Sequence, residues 1–468
     1  MIIGIIAEGS YPYISGGVSS WLHQLISGMP NVQFKIFSIM ASSKEQPEYK
    51  YKLPSNILEV KTIFMDQYLS IPQKSFANVK LSKSDQELIS QFVDFNQSLD
   101  WDNFIKLISD KKKIKSIYKL IQSKPVWESF LVRYNRNHYN DGFNSYFWTI
   151  RSIIIPLLFI IQEVDLEADV YHTISTGYAG IVASVLKAKY NKPLLLTEHG
   201  IYAREREEEL LAADWVAKSY KKLWIDFFYF ISKGCYDASD VVISLFYDNK
   251  VIQEALGVEK EKLEVINNGV SIKNFNAAKV EHTGYNVASI LRVVPIKDVL
   301  TMLRSFRMVL NKRHDVHFFI IGPTEEDEDY YEKCVELVNI LDMNSYVTFT
   351  GKINIKDIIH ELDVLVLTSI SEGQPLVILE GLASAIPFVS TDVGACRELL
   401  EDDGINGTCG IITKPVSPNE TSEGILKLLE NDELRNEYGE NGRKKMETYF
   451  KLEDVINKYE SLYNKYYN

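Results

Sequence analysis

The feature that most constrains this chain is an alternation repeated in two successive series: short apolar runs separated by amphipathic stretches of helical period. Such alternation marks βαβ units, which build a parallel sheet covered on both faces. In the first series Ile2–Ala7, Phe34–Ile39, Val170–His172, Leu194–Thr197, Val241–Ser244 and Leu263–Ile266 read as strands. Val18, Trp21, Leu22, Leu25 and Ile26 recur at helical spacing and give one apolar helix face. The second series has strands at Val287–Leu291, His317–Ile321, Val347–Thr350, Val364–Leu367, Pro387–Ser390 and Gly410–Ile412. The expected class is α/β, with two Rossmann-like, doubly wound parallel-sheet domains facing a cleft. The first domain is expected over 1–280 and the second over 281–449. Residues 81–162 break the rhythm with helical but no strand pattern and read as a helical insertion in the first domain.

Composition narrows what the chain does. At 468 residues it has material for two cores. With 51 basic and 63 acidic residues its net charge is −12, without the broad basic footprint of nucleic-acid binding. The one dense basic run, Lys111-Lys112-Lys113-Ile114-Lys115, reads as a solvated helix face. Cys235, Cys334, Cys396 and Cys409 lie far apart, which fits reduced, buried thiols and neither a zinc site nor a disulfide framework. The apolar start stops at Glu8 and reads as a buried first strand. The apolar run Ile153–Ile161 contains Pro156 and is too short to span a bilayer, so no transmembrane segment is expected.

In open α/β sheets ligands collect at the carboxyl ends of the strands, so chemistry should sit on the loops just after them. Four such loops carry suitable residues. After Val364–Leu367 runs Ser369-Ile370-Ser371-Glu372-Gly373-Gln374-Pro375-Leu376. Pro375 suits the first position of a helix, and Gly373 permits close backbone approach. The helix start offers free N–H groups and a positive dipole end to a phosphate. Glu372 and Glu380 bracket that seat, Glu380 lying about 7–8 Å along the helix from Pro375. Carboxylates accept from hydroxyls, which suits a sugar on one side and a ribose on the other. The ordinary alternative is a surface-helix glutamate beside an unrelated loop glutamate.

Arg292 and Lys297 follow the strand Val287–Leu291 and can neutralise a diphosphate without a metal; an exposed pair is the alternative. Gly16-Gly17 closes the loop after the first strand, where a simple tight turn serves equally well. His199, in Thr197-Glu198-His199-Gly200, is suited to a sugar hydroxyl, or is a buried, hydrogen-bonded structural histidine. Asp327-Glu328-Asp329 reads as a solvated acidic loop and not as a metal motif.

These residues, in this order, resemble glycosyltransferase family 4, the retaining enzymes of the GT-B fold, over almost the whole chain. The hallmark is a pair of glutamates separated by seven residues, here Glu372 and Glu380. Glu8-Gly9-Ser10-Tyr11-Pro12-Tyr13, Gly16-Gly17-Val18-Ser19-Ser20-Trp21, Thr197-Glu198-His199-Gly200-Ile201-Tyr202, Val293-Val294-Pro295-Ile296-Lys297-Asp298 and Asp392-Val393-Gly394-Ala395-Cys396-Arg397 are similar to the branch serving Pel-type exopolysaccharide synthesis. Leu291-Arg292, Asp298 and Gln374-Pro375 depart from the broad family but agree with that branch.

The resemblance implies a UDP-sugar donor, UDP-glucose first among them, a saccharide acceptor and no metal. It implies Glu380 on the ribose and Glu372 at the donor sugar. Arg292 and Lys297 would hold the diphosphate with Gly16 and Gly17 against it, and His199 would sit by the sugar. Gly373, Gln374, Pro375 and Leu376 would line the donor, and the base would meet the backbone near Gly351 and Lys352. A last helix over 450–468 would return to the first domain. The same resemblance implies a cytoplasmic protein docking onto membrane-embedded synthase and export proteins. Three rival readings are a nucleotide-sugar 2-epimerase, a catalytically silent donor-binding subunit and a non-enzymatic scaffold.

Overall fold

The computed structural model describes residues 1–44, 47–70, 79–137, 142–275, 280 and 282–467. The chain divides into two compact units, Met1–Val265 with Tyr459–Asn468, and Ile266–Lys458. The division falls where the last strand of the first series ends, earlier than position 280. Residue 281, the expected start of the second domain, lies outside the described residues.

The first unit holds β1 (Ile2–Glu8), β2 (Gln33–Met40), β3 (Ile57–Phe64), β4 (Val170–Thr173), β5 (Leu194–Glu198), β6 (Val241–Ser244) and β7 (Leu263–Val265). They form a seven-stranded sheet in the order β3-β2-β1-β4-β5-β6-β7, and every pairing is parallel. β1 is apolar throughout its middle, with Ile3, Ile5, Ile6 and Ala7 fully buried, as a strand covered on both faces requires. The chain adds strands outward on both sides of it: β2 lies on one side and β4 on the other, with Ile3 opposite Val170. That is the topological switch point of the sheet.

β3 has no counterpart among the strands read from sequence. It is an edge strand with one buried residue, Ile63, and polar Glu59, Lys61 and Thr62 between apolar neighbours, so no continuous apolar run announces it. The helical character of 81–162 is borne out: helices cover Lys83–Val93, Trp101–Ser109, Ile117–Ile121, Lys124–Asn137 and Phe143–Glu163, and no strand occurs among the described residues between them.

Two details there differ from expectation. The lysine tract is a turn after Ser109, not a helix face. Asp110 Oδ1 accepts from the N–H of Lys112, while Lys111 pairs with Glu163 and Lys113 with Asp85. The run Ile153–Ile161 belongs to a 21-residue helix, Phe143–Glu163, long and apolar enough to cross a membrane by length and composition. Those nine residues are all buried inside the first unit's core, which accounts for their apolarity without a bilayer.

The second unit repeats the pattern with β8 (Tyr285–Ile290), β9 (Val316–Ile321), β10 (Val347–Gly351), β11 (Val364–Leu367), β12 (Phe388–Thr391) and β13 (Gly410–Thr413), in the order β10-β9-β8-β11-β12-β13, again all parallel. Its switch point lies between β8 and β11, where Val287 sits opposite Val364. Asp327-Glu328-Asp329 proves to be a helix start and not a loop: Asp327 accepts from the N–H of Tyr330 and caps Glu328–Ile340.

All four cysteines are free and buried. The final helix spans Leu452–Tyr467, and its residues from Tyr459 onward group with the first unit. They are held there by buried hydroxyls. Tyr463 Oη lies 2.7 Å from His172 Nδ1, and Tyr459 Oη lies 3.1 Å from Thr197 Oγ1.

Candidate active site

In the second unit the loops after β8 and β11 meet at the switch point. Lys297 Nζ lies 2.5 Å from Glu372 Oε1, with only 17% and 11% of the two side chains exposed. Ser369 Oγ donates to the same oxygen over 2.5 Å. The loops are fastened to each other by backbone as well. The N–H of Ile370 donates to the carbonyl of Ile296 (2.9 Å), and Thr368 Oγ1 reaches the carbonyls of Lys297 and Asp298, each at 3.1 Å.

The backbone of Glu372 is pressed from the other side by the loop after β12. Gly394 has φ 53°, and a Cβ there would stand 2.2 Å from the Glu372 carbonyl oxygen and 2.3 Å from that of Gly373. Ala395 donates its N–H to Gly373. Only glycine tolerates both the left-handed conformation and the approach. Gly394→Ala should therefore destabilise the second unit by about 1–2 kcal/mol or more. Calorimetric melting checks this, and a melting temperature equal to wild type would contradict it.

Pro375 is the N-cap of the helix Leu376–Ala383, one residue earlier than expected, and no side chain caps that helix start. Gln374 is buried. Its Oε1 accepts from the N–H of Asn268 over 2.6 Å, while its Nε2 bonds no protein atom. Glu380 lies on the helix, and burial pushes its carboxyl up to about 7 against the opposing pull of Lys356. Arg292 is half-exposed and paired with Glu326, so it stands apart from the Lys297–Glu372 pair. Gly351 ends β10 in the left-handed region at φ 66°, and Lys352 is exposed. Among the described residues no three His, Cys, Asp or Glu side chains gather as a metal would need.

In the first unit Gly16 and Gly17 open the helix Gly17–Ser27. They are exposed, no side chain caps the start, and a Cβ at either would meet nothing within 4 Å. The protein's own packing therefore does not call for glycine there. His199 lies edge-on to Trp21 of that helix, with ring centroids 4.5 Å apart. Burial holds its imidazole down at about 3, so the ring is neutral, and Nε2 is enclosed without a hydrogen-bond partner.

Sequence reasoning gave no role to two carboxylates behind these residues. Glu8 accepts from the N–H groups of Tyr178 and Ala179 and from Tyr202 Oη, so it occupies the N-terminus of the helix Gly177–Tyr190. Glu198 accepts from Thr176, the Tyr202 N–H, Tyr236 and Gln253, and its burial pushes it up to about 7. Both are polar residues at the end of otherwise apolar strands, the one signal that could have singled them out.

Two successive doubly wound parallel-sheet units are the architecture of the GT-B fold. Solved structures of that fold align with almost the whole chain. One is Anabaena Alr3699/HepE in complex with UDP (13% identity, 99% of each chain, TM-score 0.63). Another is sucrose-phosphate synthase (tll1590) from Thermosynechococcus elongatus (15% identity, 99% and 98%, TM-score 0.61). At such identities the likeness speaks for the fold alone.

The chain belongs to the family described as Domain of unknown function (DUF3492), matched over residues 1–261, and residues 271–445 match Glycosyl transferases group 1. Among curated relatives, the capsular polysaccharide biosynthesis glycosyltransferase CapM of Staphylococcus aureus is 26% identical over 219 residues, 45% of this chain and 53% of that one. The MMP alpha-(1->4)-mannosyltransferase of Mycolicibacterium hassiacum is 24% identical over 278 residues, 59% and 66%. The match thus spans between half and two thirds of these relatives' own length.

Proposed function

We propose that the chain is a retaining glycosyltransferase that moves a hexose from a UDP-sugar, UDP-glucose first among them, to a growing exopolysaccharide of the Pel type. The observation that carries this reading is the half-buried Lys297–Glu372 pair at the second unit's switch point, beside an uncapped helix start. The group 1 match over the same residues supports it. CapM's description as a capsular polysaccharide glycosyltransferase and the UDP held by HepE support the substrate class.

In this reading the donor's diphosphate takes the helix start and the ammonium of Lys297, with Arg292 turning from Glu326 to join it. No metal is required, because these cations meet the charge that develops as the sugar–phosphate bond breaks. Glu380 accepts from the ribose hydroxyls, Glu372 accepts from a hydroxyl of the sugar, and the base lies along the backbone of Gly351 and Lys352. Gln374 and Gly373 complete the loop. The acceptor oxygen attacks on the face the diphosphate leaves, and a diphosphate oxygen takes its proton, so the anomeric configuration is retained. On the first unit, the open start at Gly16-Gly17 and the neutral His199 are the ligand-facing groups. We place the protein in the cytoplasm, docked onto membrane-embedded synthase and export proteins.

The test is calorimetric titration of the purified chain with UDP-glucose, UDP-GlcNAc, UDP-GalNAc and GDP-mannose, with Glu380→Ala in parallel. One UDP-sugar should bind and the variant should lose it. Absence of binding by all four would sink the reading, and conversion of a donor without acceptor would replace it with the 2-epimerase.

A further inference from the structure

Both donors that reach Glu372 land on one oxygen. Lys297 Nζ and Ser369 Oγ each lie 2.5 Å from Oε1, and no described residue donates to Oε2. The two partners differ in how firmly they are held. Ser369 is fully buried, its carbonyl accepts from Thr391 Oγ1 over 2.7 Å, and the next N–H is bonded to Ile296. Lys297 carries its charge on a flexible four-carbon stem, and a diphosphate offers an ammonium more negative charge than one carboxylate does.

We propose that Ser369 is the positioning residue for Glu372. When a diphosphate draws Lys297 away, the Ser369 hydroxyl alone keeps Oε1 in place and leaves Oε2 facing a sugar hydroxyl. The inference rests on the donor-site reading and adds a division of labour to it. Lys297 answers to the nucleoside diphosphate, and Ser369, acting through Glu372, answers to the sugar. A serine that merely filled space would weaken UDP and UDP-sugar alike.

The experiment compares full-length wild type, Ser369→Ala and Lys297→Met by calorimetric titration with UDP and with UDP-glucose, alongside steady-state transfer kinetics. Ser369→Ala should bind UDP within about twofold of wild type, lose about tenfold in its affinity for UDP-glucose, and lose kcat more than it raises KM. These factors correspond to one hydrogen bond to a charged group. Lys297→Met should weaken both ligands while keeping the wild-type ratio between them. It serves as the independent arm should Ser369→Ala fail to fold. Equal losses for UDP and UDP-glucose in Ser369→Ala, or a collapsed ratio in Lys297→Met, would overturn the role of Ser369 and leave the donor site standing. A wild type that binds neither ligand overturns both.

Discussion

If the donor-site reading holds, transfer should fall by about 100-fold or more when Lys297 is replaced by alanine, the loss typical when one preorganised stabiliser of a developing anion is removed. The size of the effect follows from how the lysine is placed. Its loop is fastened to the β11 loop through Ile370 and Thr368, and its ammonium sits within a partly enclosed pair with Glu372. From that seat the ammonium has only the length of its own side chain to travel to a diphosphate at the helix start. Arg292 should make up only part of the loss, since it is half-exposed and must leave Glu326 to reach the diphosphate. Arginine at 297 should restore little, because a planar fork does not retrace the path of an ammonium in so confined a place. The measurement is single-turnover release of UDP from UDP-glucose. A rate for Lys297→Ala within threefold of wild type would remove Lys297 from the chemistry.

The second large effect combines a gain and a loss. Glu380→Gln should melt at a higher temperature than wild type at pH 8 and bind UDP about 10–100-fold more weakly, as expected when hydroxyls lose a charged acceptor. The sign comes from burial. The folded chain holds a proton on Glu380 up to about 7, whereas an unfolded carboxyl releases it near 4.5. Between those values the folded state binds more protons than the unfolded one, so stability declines as pH rises through 7. Glutamine removes that decline. The difference in melting temperature between variant and wild type should therefore be smallest near pH 4, grow to about pH 7 and level off above it. The affinity of wild type for UDP should rise over the same interval, because the ionised carboxylate is the better acceptor. A pH-independent difference would mean that Glu380 titrates alike in the folded and unfolded chain, and unchanged UDP affinity would free it from the ribose.

Much of this was legible in the sequence. β6 and β11 have the expected bounds, and most other strands differ by one or two residues, because strands covered on both faces must be apolar along their length. The edge strand β3 was not legible, since solvent on one side lets lysine and glutamate interrupt it. In the site, Glu372, Glu380 and Lys297 stood out as charges just after apolar runs. Their partners did not. Ser369 and Glu372 are three residues apart, a spacing that ordinarily reads as a capping box, yet here the serine sits in a loop ahead of the helix. Gly394 is indistinguishable from any turn glycine until the carbonyls of Glu372 and Gly373 are placed against it.

The bonds that join the β8 and β11 loops link positions 70, 71 and 75 residues apart. Contacts of such sequence separation cost more chain entropy to close than local ones, so this part of the site depends on β8, β9 and β11 having come together. The backbone bond from Ile370 to Ile296 therefore depends on β8 and β11 staying paired, even where the Lys297 side chain leaves Glu372. The N–H of Ile370 should accordingly exchange with solvent only on the timescale of whole-unit opening, which makes a single amide proton a clock for the integrity of the site.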